Sequence, residues 1–419
     1  MILSLVLPWK IPNLSVAGVD TAATSYALAF QPTSCAHRVP IALKPRQTGV
    51  GHGAATALGA VRFARPLLES GYKPAVLEHR EGDIDSKPLL LYLPGFDGTL
   101  VAPFIQFPEL GTEFDLWGME VPMDDRSTFE ELKEIVIHHI EEIMRGEDDG
   151  RMGNRPLYLM GESFGGTLAL EVSRALRSAG ALNLRGLILV NPATCYDRSA
   201  LVEQGPIVAD LPFLRYPLGV VGLLPLFTDE YSLPQLGMIL SSEGLPSVID
   251  TAAREAYMGR TALSLPQKLN FMPKDTLQWR LTEWLITGCK DINEKAADGR
   301  LVQDLGDLPI LILAGECDKT LPSVQEASRL SEEVLRNSKV VIVDGAGHAS
   351  TLGSRVDLTA EMRAWFSDLQ SRGGRTAMKE IGSNGLGKYR GMESRYDGAW
   401  IGLNPLLYWS KEYYHEWTK

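Results

Sequence analysis

The sequence predicts an α/β fold with a mostly parallel central sheet, helices on both faces and a helical insertion before the last two strands. Two patterns carry that expectation. Short continuous apolar runs bounded by Gly or Pro recur at Leu89–Leu93, Phe114–Val121, Leu157–Met160, Leu187–Val190, Ile310–Leu313 and Val340–Val343, as strands buried on both faces do. Between several of them lie stretches of helical periodicity, and such alternation sets helices against both sides of one sheet. With 419 residues, 45% of them hydrophobic and 22% charged, the chain has ample apolar material for that core.

Residues 1–50 stand apart from this pattern. They carry Lys10, Arg38, Lys44 and Arg46 against one acid, Asp20, and are rich in Ser, Thr and Ala. That composition resembles organelle transit peptides. Ala29-Phe30-Gln31-Pro32 also looks like the cleavage context of plastid presequences in algae with secondary plastids. Residues 1–50 are expected to be a targeting or disordered segment, giving a plastid location, or a cytoplasmic one if they carry no address.

The core is expected over residues 51–198 and 306–371. Within it, Ser127-Thr128-Phe129-Glu130 reads as a capping box opening a helix through Met144, with Leu132, Ile135, Val136, Ile140 and Ile143 on one face. A second helix follows Ser163, and two more span roughly 323–336 and 357–370.

Residues 199–305 break the rhythm. They read as helices separated by prolines and include the apolar stretch LPFLRYPLGVVGLLPLF at 211–227. Functional sites in open α/β sheets lie at the strand C-termini, so this insertion is expected to cap that edge; the alternative is that it only enlarges the core. Residues 372–419 begin Gly-rich and end aromatic, with Tyr396, Trp400, Tyr408, Trp409, Tyr413, Tyr414 and Trp417. Such a tail is expected to dock on the body or on a membrane surface.

Composition excludes several classes. A net charge of −11 and a pI near 5.3 argue against nucleic acid as a partner. Cys35, Cys195, Cys289 and Cys317 are widely spaced and form no C-x-x-C pair, which argues for a reducing compartment and against a structural zinc or a disulfide framework. No run of 18 apolar residues occurs, so no transmembrane helix is expected. No cofactor and no metal is expected.

The chemistry centres on Gly161-Glu162-Ser163-Phe164-Gly165. Alone, a G-x-S-x-G pentapeptide is weak. Here an apolar strand precedes it and a helical pattern follows, the setting a nucleophile elbow requires. Gly161 and Gly165 are needed where strand and helix backbones crowd together. A nucleophilic serine needs a base, and the base an orienting acid. Asp318 lies just past the Ile310–Leu313 run, and His348 lies in the loop after Val340–Val343. The order Ser, Asp, His is that of the α/β-hydrolase fold.

Of the seven histidines only His348 is so placed. His138 and His139 fall mid-helix and are expected at the surface, His37, His52 and His79 precede the regular domain, and His415 is in the tail. Glu316, Asp344 and Asp197 are competing acids. Leu93-Pro94-Gly95-Phe96-Asp97-Gly98-Thr99 ends the first clear strand. Its Phe96 N–H, with that of Phe164, is the expected oxyanion hole; the alternative is an ordinary turn suited to Asp-Gly. In this arrangement His348 takes the Ser163 proton as Oγ attacks an ester or thioester carbonyl, an acyl-serine forms, and a second nucleophile releases the acyl group.

Beyond these residues, YLPGFDGT, FDLWGMEVPMDDRSTFEEL, PLYLMGESFGGTLALEV, LILVNPAT, MPKDTLQWRL and LILAGECDKTLPS together resemble the plant and algal esterase/lipase/thioesterase family, the phytyl ester synthase-like α/β-hydrolases, over residues 87–370. The resemblance implies Ser163, Asp318 and His348 as catalytic residues. It further implies transfer of fatty acyl groups to phytol or diacylglycerol, and residence at a plastid membrane or lipid body. Plant members continue into a glycerolipid acyltransferase-like domain with an H-x4-D motif. None of the histidines here has Asp five residues on, so that domain is expected to be lacking, and water joins the alcohols as an acceptor. The rival readings are a carboxylesterase or thioesterase for smaller acyl groups and a non-catalytic lipid-binding protein of the same fold. Epoxide hydrolases and dehalogenases place Asp at the elbow, where this chain has Ser163.

Overall fold

The computed structural model describes residues 61–69, 87–104, 106–145, 155–180, 183–229, 272–352 and 356–371. The expected targeting segment, the aromatic tail and the middle of the 199–305 insertion lie outside them.

Seven strands form one sheet: β1 (Arg62–Ala64), β2 (Leu89–Leu93), β3 (Asp115–Glu120), β4 (Leu157–Glu162), β5 (Leu184–Val190), β6 (Ile310–Gly315) and β7 (Ser338–Val343). Their spatial order is β1-β3-β2-β4-β5-β6-β7. All neighbours pair in parallel except β1, which runs antiparallel to β3 at the edge. The six strands expected from apolar runs are present, and β1 is an addition. Three residues, Arg62-Phe63-Ala64, are too short to announce themselves as a strand, and their pairing is supplied by the distant Gly118–Glu120 edge.

The continuous apolar runs follow from burial on two faces. Leu89, Leu91, Leu93, Leu157, Leu159, Leu187, Leu189, Ile310 and Ile312 join one core cluster. The alternate positions Leu90, Tyr92, Tyr158, Met160, Ile188, Val190, Leu311 and Leu313 join the other, as the two-residue repeat of a strand dictates. The second face is covered by α1 (Phe107–Glu113) and by a C-terminal helix through Phe107, Leu110, Met362, Trp365 and Phe366. The first is covered by α2 (Phe129–Arg145) through Leu132, Val136 and Ile140, and by α3 (Phe164–Ser178) through Leu168 and Val172.

The capping box at the start of α2 differs by one residue from the expected Ser127–Glu130 pair. Thr128 N donates to Glu131 Oε2 at 2.8 Å and Glu131 N donates to Thr128 Oγ1 at 3.2 Å. Ser127 N is already held by Asp125 Oδ1 at 2.8 Å, which draws Ser127 into the preceding turn and leaves the cap to Thr128. His139, expected at the surface, is half-buried and stacks on Phe63 of β1 at 3.7 Å. Burial pushes its pKa down to about 4. The unforeseen strand supplies the partner that buries it.

The described part of the 199–305 stretch divides in two. α4 (Ala200–Asp210) packs on both α5 (Tyr216–Phe227) and α6 (Lys274–Trp279). A π-helical turn, Arg280–Ile286, leads into α7 (Thr287–Ala297) and α8 (Arg300–Leu305), and these two lie along α3 on the sheet face. The expected cap boundary at 305 therefore runs too far, because Glu171 of α3 recruits the later helices. It is fully buried against Lys295 at 2.7 Å and Arg174 at 2.8 Å, and Arg174 reaches Asp304 at 3.1 Å. In the C-terminal third, α9 (Ser323–Arg329) passes into a π-helical turn, Leu330–Val334, and α10 (Leu358–Ser371) closes the fold.

Trp365 of α10 is 1% exposed, whereas Ile342 on the outer strand β7 is 51% exposed. Trp365→Ala is expected to lower unfolding free energy by about 3–5 kcal/mol, and Ile342→Ala to stay within about 0.5 kcal/mol of the parent. Urea denaturation followed by circular dichroism measures both, and equal effects would contradict this account of the second core face.

Candidate active site

The C-terminal ends of β2, β4, β5, β6 and β7 converge on one place. β4 ends at Glu162, and the chain turns directly into α3 through Ser163, whose φ of 56° and ψ of −118° are neither strand nor helix. A non-glycine residue held there costs on the order of 1–3 kcal/mol and persists only where its surroundings over-determine it. Those surroundings are explicit. Ser163 N donates to Val190 O at 2.9 Å, and Ser163 O accepts from Ala193 N at 2.9 Å and Gly166 N at 3.0 Å. A Cβ at Gly161 would lie 2.0 Å from Gly165 O, and one at Gly165 would lie 2.0 Å from Leu93 O. Both elbow glycines are therefore required by backbone contact.

His348 and Asp318 meet Ser163. His348 Nε2 lies 2.9 Å from Ser163 Oγ, and Nδ1 lies 2.8 Å from Asp318 Oδ2. With Nδ1–H donating to the carboxylate, Nε2 is left to accept from the serine hydroxyl. Asp318 is fixed in turn by N–H donors from Thr320 at 2.8 Å and Leu321 at 3.0 Å, and by the Ser323 hydroxyl. The side chains of Asp318 and His348 are 1% and 6% exposed. Burial works against both charges, but the charge and hydrogen bond between them prevail. Asp318 is held below the usual carboxylate range, and His348 is raised above the usual imidazole value with a further contribution from Glu162.

The competing acids sit elsewhere. Glu316 is exposed and accepts from Gly345 N at 3.1 Å, Asp344 is exposed, and Asp197 lies beside Cys289 with its side chain 67% exposed. A cavity of about 340 Å³ opens beside the acid loop, lined by Arg198, Glu316, Asp318 and Lys319 among others. Ser163 and His348 are not among its lining residues. Among the described residues no cluster of His, Cys, Asp and Glu is arranged to hold a metal ion.

Phe164 follows Ser163 in the chain, and Phe96 belongs to a turn that runs beside it. Gly95 and Gly98 close a tight turn, Gly98 N donating to Gly95 O at 2.9 Å, with Phe96 and Asp97 at its corners. A Cβ at Gly95 would lie 3.7 Å from Ser163 Cβ, so the turn runs alongside the serine. The sequence left a choice between an ordinary Asp-Gly turn and an oxyanion loop. The structure has the turn, in a position beside Ser163. Phe164 opens α3, where the first N–H groups of a helix have no partner within the helix.

Three buried polar residues that sequence reasoning does not single out hold this site. Asn191, fully buried with a φ of 43°, follows the last residue of β5. Its Nδ2 donates to His348 O at 2.7 Å, Gly347 O at 3.2 Å and Ser350 Oγ at 2.8 Å, and its Oδ1 accepts from Gly315 N at 2.7 Å. One amide thus ties the acid strand to the histidine loop. Glu162 accepts from Tyr92 Oη at 2.9 Å, from Thr351 N at 3.3 Å and from the Thr351 hydroxyl, anchoring the same loop from β4. Arg280 donates to the carbonyls of Phe96 at 2.8 Å, Val121 at 3.1 Å and Pro122 at 2.7 Å. A polar residue inside or directly after an apolar run is the available signal, and it is a weak one.

The insertion meets the site through the end of α5. Phe227 lies 5.6 Å from the Phe96 ring and 5.9 Å from the His348 ring. Its carbonyl accepts from Ala349 N at 3.1 Å, and Leu226 O accepts from the Thr320 hydroxyl at 2.8 Å.

Comparison with known proteins agrees with this architecture. Residues 90–362 match the model of the alpha/beta hydrolase family, to which the chain belongs. It is 33% identical over 296 residues to Phytyl ester synthase 1, chloroplastic, of Arabidopsis thaliana, and 34% identical over 209 residues to Phytyl ester synthase 2, chloroplastic, of the same plant. These matches take in 69% and 47% of this chain but only 39% and 27% of the relatives' own length. Among solved structures, a thermophilic esterase from Thermogutta terrifontis matches with a TM-score of 0.43 at 17% identity, over 68% of this chain and 91% of that one. A bacterial membrane phospholipase A matches with a TM-score of 0.41 at 16% identity, over 68% and 80%.

Asn191→Ala removes the shared anchor and leaves Gly315 N and two loop carbonyls without it. Unsatisfied buried groups cost about 1–3 kcal/mol each, so the thermal midpoint is expected to fall by several degrees. The downfield proton resonance of an Asp-paired histidine is expected to broaden. A variant with parent-like melting and an unchanged resonance would remove Asn191 from this role.

Proposed function

We propose that this α/β hydrolase is a serine-nucleophile lipid esterase or acyltransferase that passes a fatty acyl group through an acyl-serine to water or to an alcohol such as phytol or diacylglycerol. The observation that carries the reading is the hydrogen-bonded chain from Asp318 through His348 to a Ser163 held in a strained turn. In the first half-reaction Ser163 Oγ bonds to the acyl carbon and its proton passes to His348 Nε2. The carbonyl π bond breaks and its electron pair moves onto the oxygen, an oxyanion facing the N–H groups of Phe96 and Phe164. Collapse breaks the bond to the leaving alcohol or thiol, which takes the proton from Nε2. The acceptor then repeats the steps in reverse, giving its proton to Nε2.

Apolar surroundings support a fatty substrate. Phe227 stands next to His348 and Phe96 packs on Phe227, and each methylene buried against such a wall contributes about 0.8 kcal/mol. On the outer side of the insertion, Ile207, Phe213, Leu214, Leu218 and Leu224 are 51–87% exposed. Apolar exposure of that extent suits peripheral contact with a membrane or lipid body. Among the described residues no helix is long and apolar enough to cross a membrane. The names of the two relatives support phytol as an acceptor and the plastid as the location, in line with the composition of residues 1–50. Residues 200–227 act as the cap that shields the acyl-serine from water.

A fluorophosphonate probe should label the wild type and fail to label Ser163→Ala. With mixed acyl galactolipids and phytol supplied together, phytyl esters should form at the expense of free fatty acid; free acid alone would reduce the reading to an esterase. The pH dependence follows from the histidine. Its neutral form is the base and its pKa is raised, so kcat/KM should fall as pH drops through a value above about 6.5. Asp318→Asn removes the charge that raises His348 while burial remains, so the acid limb should move to lower pH and kcat fall by roughly 10³–10⁴. An acid limb moving upward would exclude Asp318 as the partner.

A further inference from the structure

Arg280 is the side chain that the proposed reaction leaves unexplained. It is 0% exposed, sits at the start of the π-helical turn Arg280–Ile286, and stacks over the Trp284 indole at 4.3 Å. π-helical turns recur at functional sites, because the extra residue re-aims a side chain. Burying a cation costs several kcal/mol unless it is well compensated, yet the acceptors at Nη1 and Nη2 are the neutral carbonyls of Phe96, Val121 and Pro122, and Nε has no partner. Burial pulls its pKa down to about 10, opposed by the carboxyls of Asp97 and Asp125, so it stays protonated at neutral pH.

The chain makes room for this cation at one residue. Gly98 has a φ of +72°, and a Cβ there would lie 2.8 Å from Arg280 Nη1 and 2.6 Å from Val121 O. Any other residue at 98 would displace the guanidinium. Arg280 also reaches the two peptides that flank the serine. It bonds the Phe96 carbonyl directly, and Trp284 stacks in turn on the Phe164 ring at 4.7 Å with an interplanar angle of 17°.

We propose that Arg280 is a positioning residue for the oxyanion hole, holding the Gly95–Gly98 turn from behind and, through Trp284, the first residue of α3, so that the N–H groups of Phe96 and Phe164 stay aimed at one point. The inference rests on the serine esterase reading given above. Its role is kinetic: an N–H pair set in advance stabilises charge that exists only in the transition state.

The test compares wild type, Arg280→Met and Arg280→Lys with a soluble medium-chain ester, each active-site concentration being titrated with fluorophosphonate and Ser163→Ala serving as the unlabelled blank. Arg280→Met should lose roughly 10²-fold in kcat, the scale of one oxyanion donor, with KM within about threefold. Inhibition by a trifluoromethyl ketone, whose adduct carries the same oxyanion, should weaken by the same factor as kcat. The acid limb of the pH profile should not move, because His348 and Asp318 are untouched. Arg280→Lys should recover part of the loss, and it carries the test alone if the methionine variant does not fold. A kcat per titrated site equal to wild type in the folded variant overturns the proposal, as does a loss confined to KM or a trifluoromethyl ketone affinity that stays unchanged. Absence of turnover and labelling in the wild type would instead overturn the serine esterase reading, and this inference with it.

Discussion

The candidate site depends on the backbone of Ser163. At φ 56° its peptide groups point sideways into β5, to Val190 O and Ala193 N, instead of continuing β4 or α3. That conformation throws the side chain clear of both elements and toward His348. It also forces the first turn of α3 so close to β2 and β4 that Gly161 and Gly165 meet neighbouring carbonyls with no room for a Cβ. The strain is local, but what maintains it is the whole parallel sheet. β4 lies between β2 and β5, and each strand delivers one loop to the same edge.

Holding those loops in register is the work of buried polar side chains. Asn191 links β6 to the histidine loop, Glu162 links β4 to the same loop through Thr351, and Arg280 links the β2 turn to the end of β3. Polar groups in such positions must be satisfied or they destabilise the fold. The same requirement makes them directional, since an amide with three acceptors and one donor fits a single loop arrangement. Apolar residues of similar volume would pack there without specifying where His348 lies.

This explains what could be read from the sequence. Ser163, Asp318 and His348 each fall directly after an apolar run, so a strand count alone places them at one sheet edge in the right chain order. The six longer strands were legible for the same reason, as their burial on two faces writes continuous Leu, Ile and Val. β1 was not legible, because three residues become a strand only through their pairing with β3. The shift of the capping box to Thr128 turns on an Asp125 side chain that competes for Ser127 N. The helices at 287–305 read as part of the insertion because they continue the helical, strand-free stretch that breaks the α/β rhythm. In the fold Lys295 and Asp304 belong to a buried network around Glu171. Asn191 and Arg280 act through contacts more than 80 residues away in the chain, and a polar residue beside an apolar run is too weak a local pattern to announce them.

The charges of the site are also sorted by side. The proposed acyl transfer through Ser163 would create two opposite charges together, an imidazolium at His348 and an oxyanion facing the N–H groups proposed for it, those of Phe96 and Phe164. On the imidazolium side stand the Asp318 carboxylate at 2.8 Å and, behind it, the carboxyl of Glu162. On the oxyanion side the turn is backed by the Arg280 guanidinium, which the Asp97 carboxyl of the same turn partly offsets, and the N-terminus of α3 adds partial positive charge. The pull of Asp318 and Arg280 on the two forming charges runs in the direction in which the proposed reaction moves charge. In a buried site it is little screened, and groups fixed before the substrate arrives need no reorganisation during the step. A carboxylate at 280 or a lysine at 318 would reverse these contributions and also disturb the packing, since both side chains are buried.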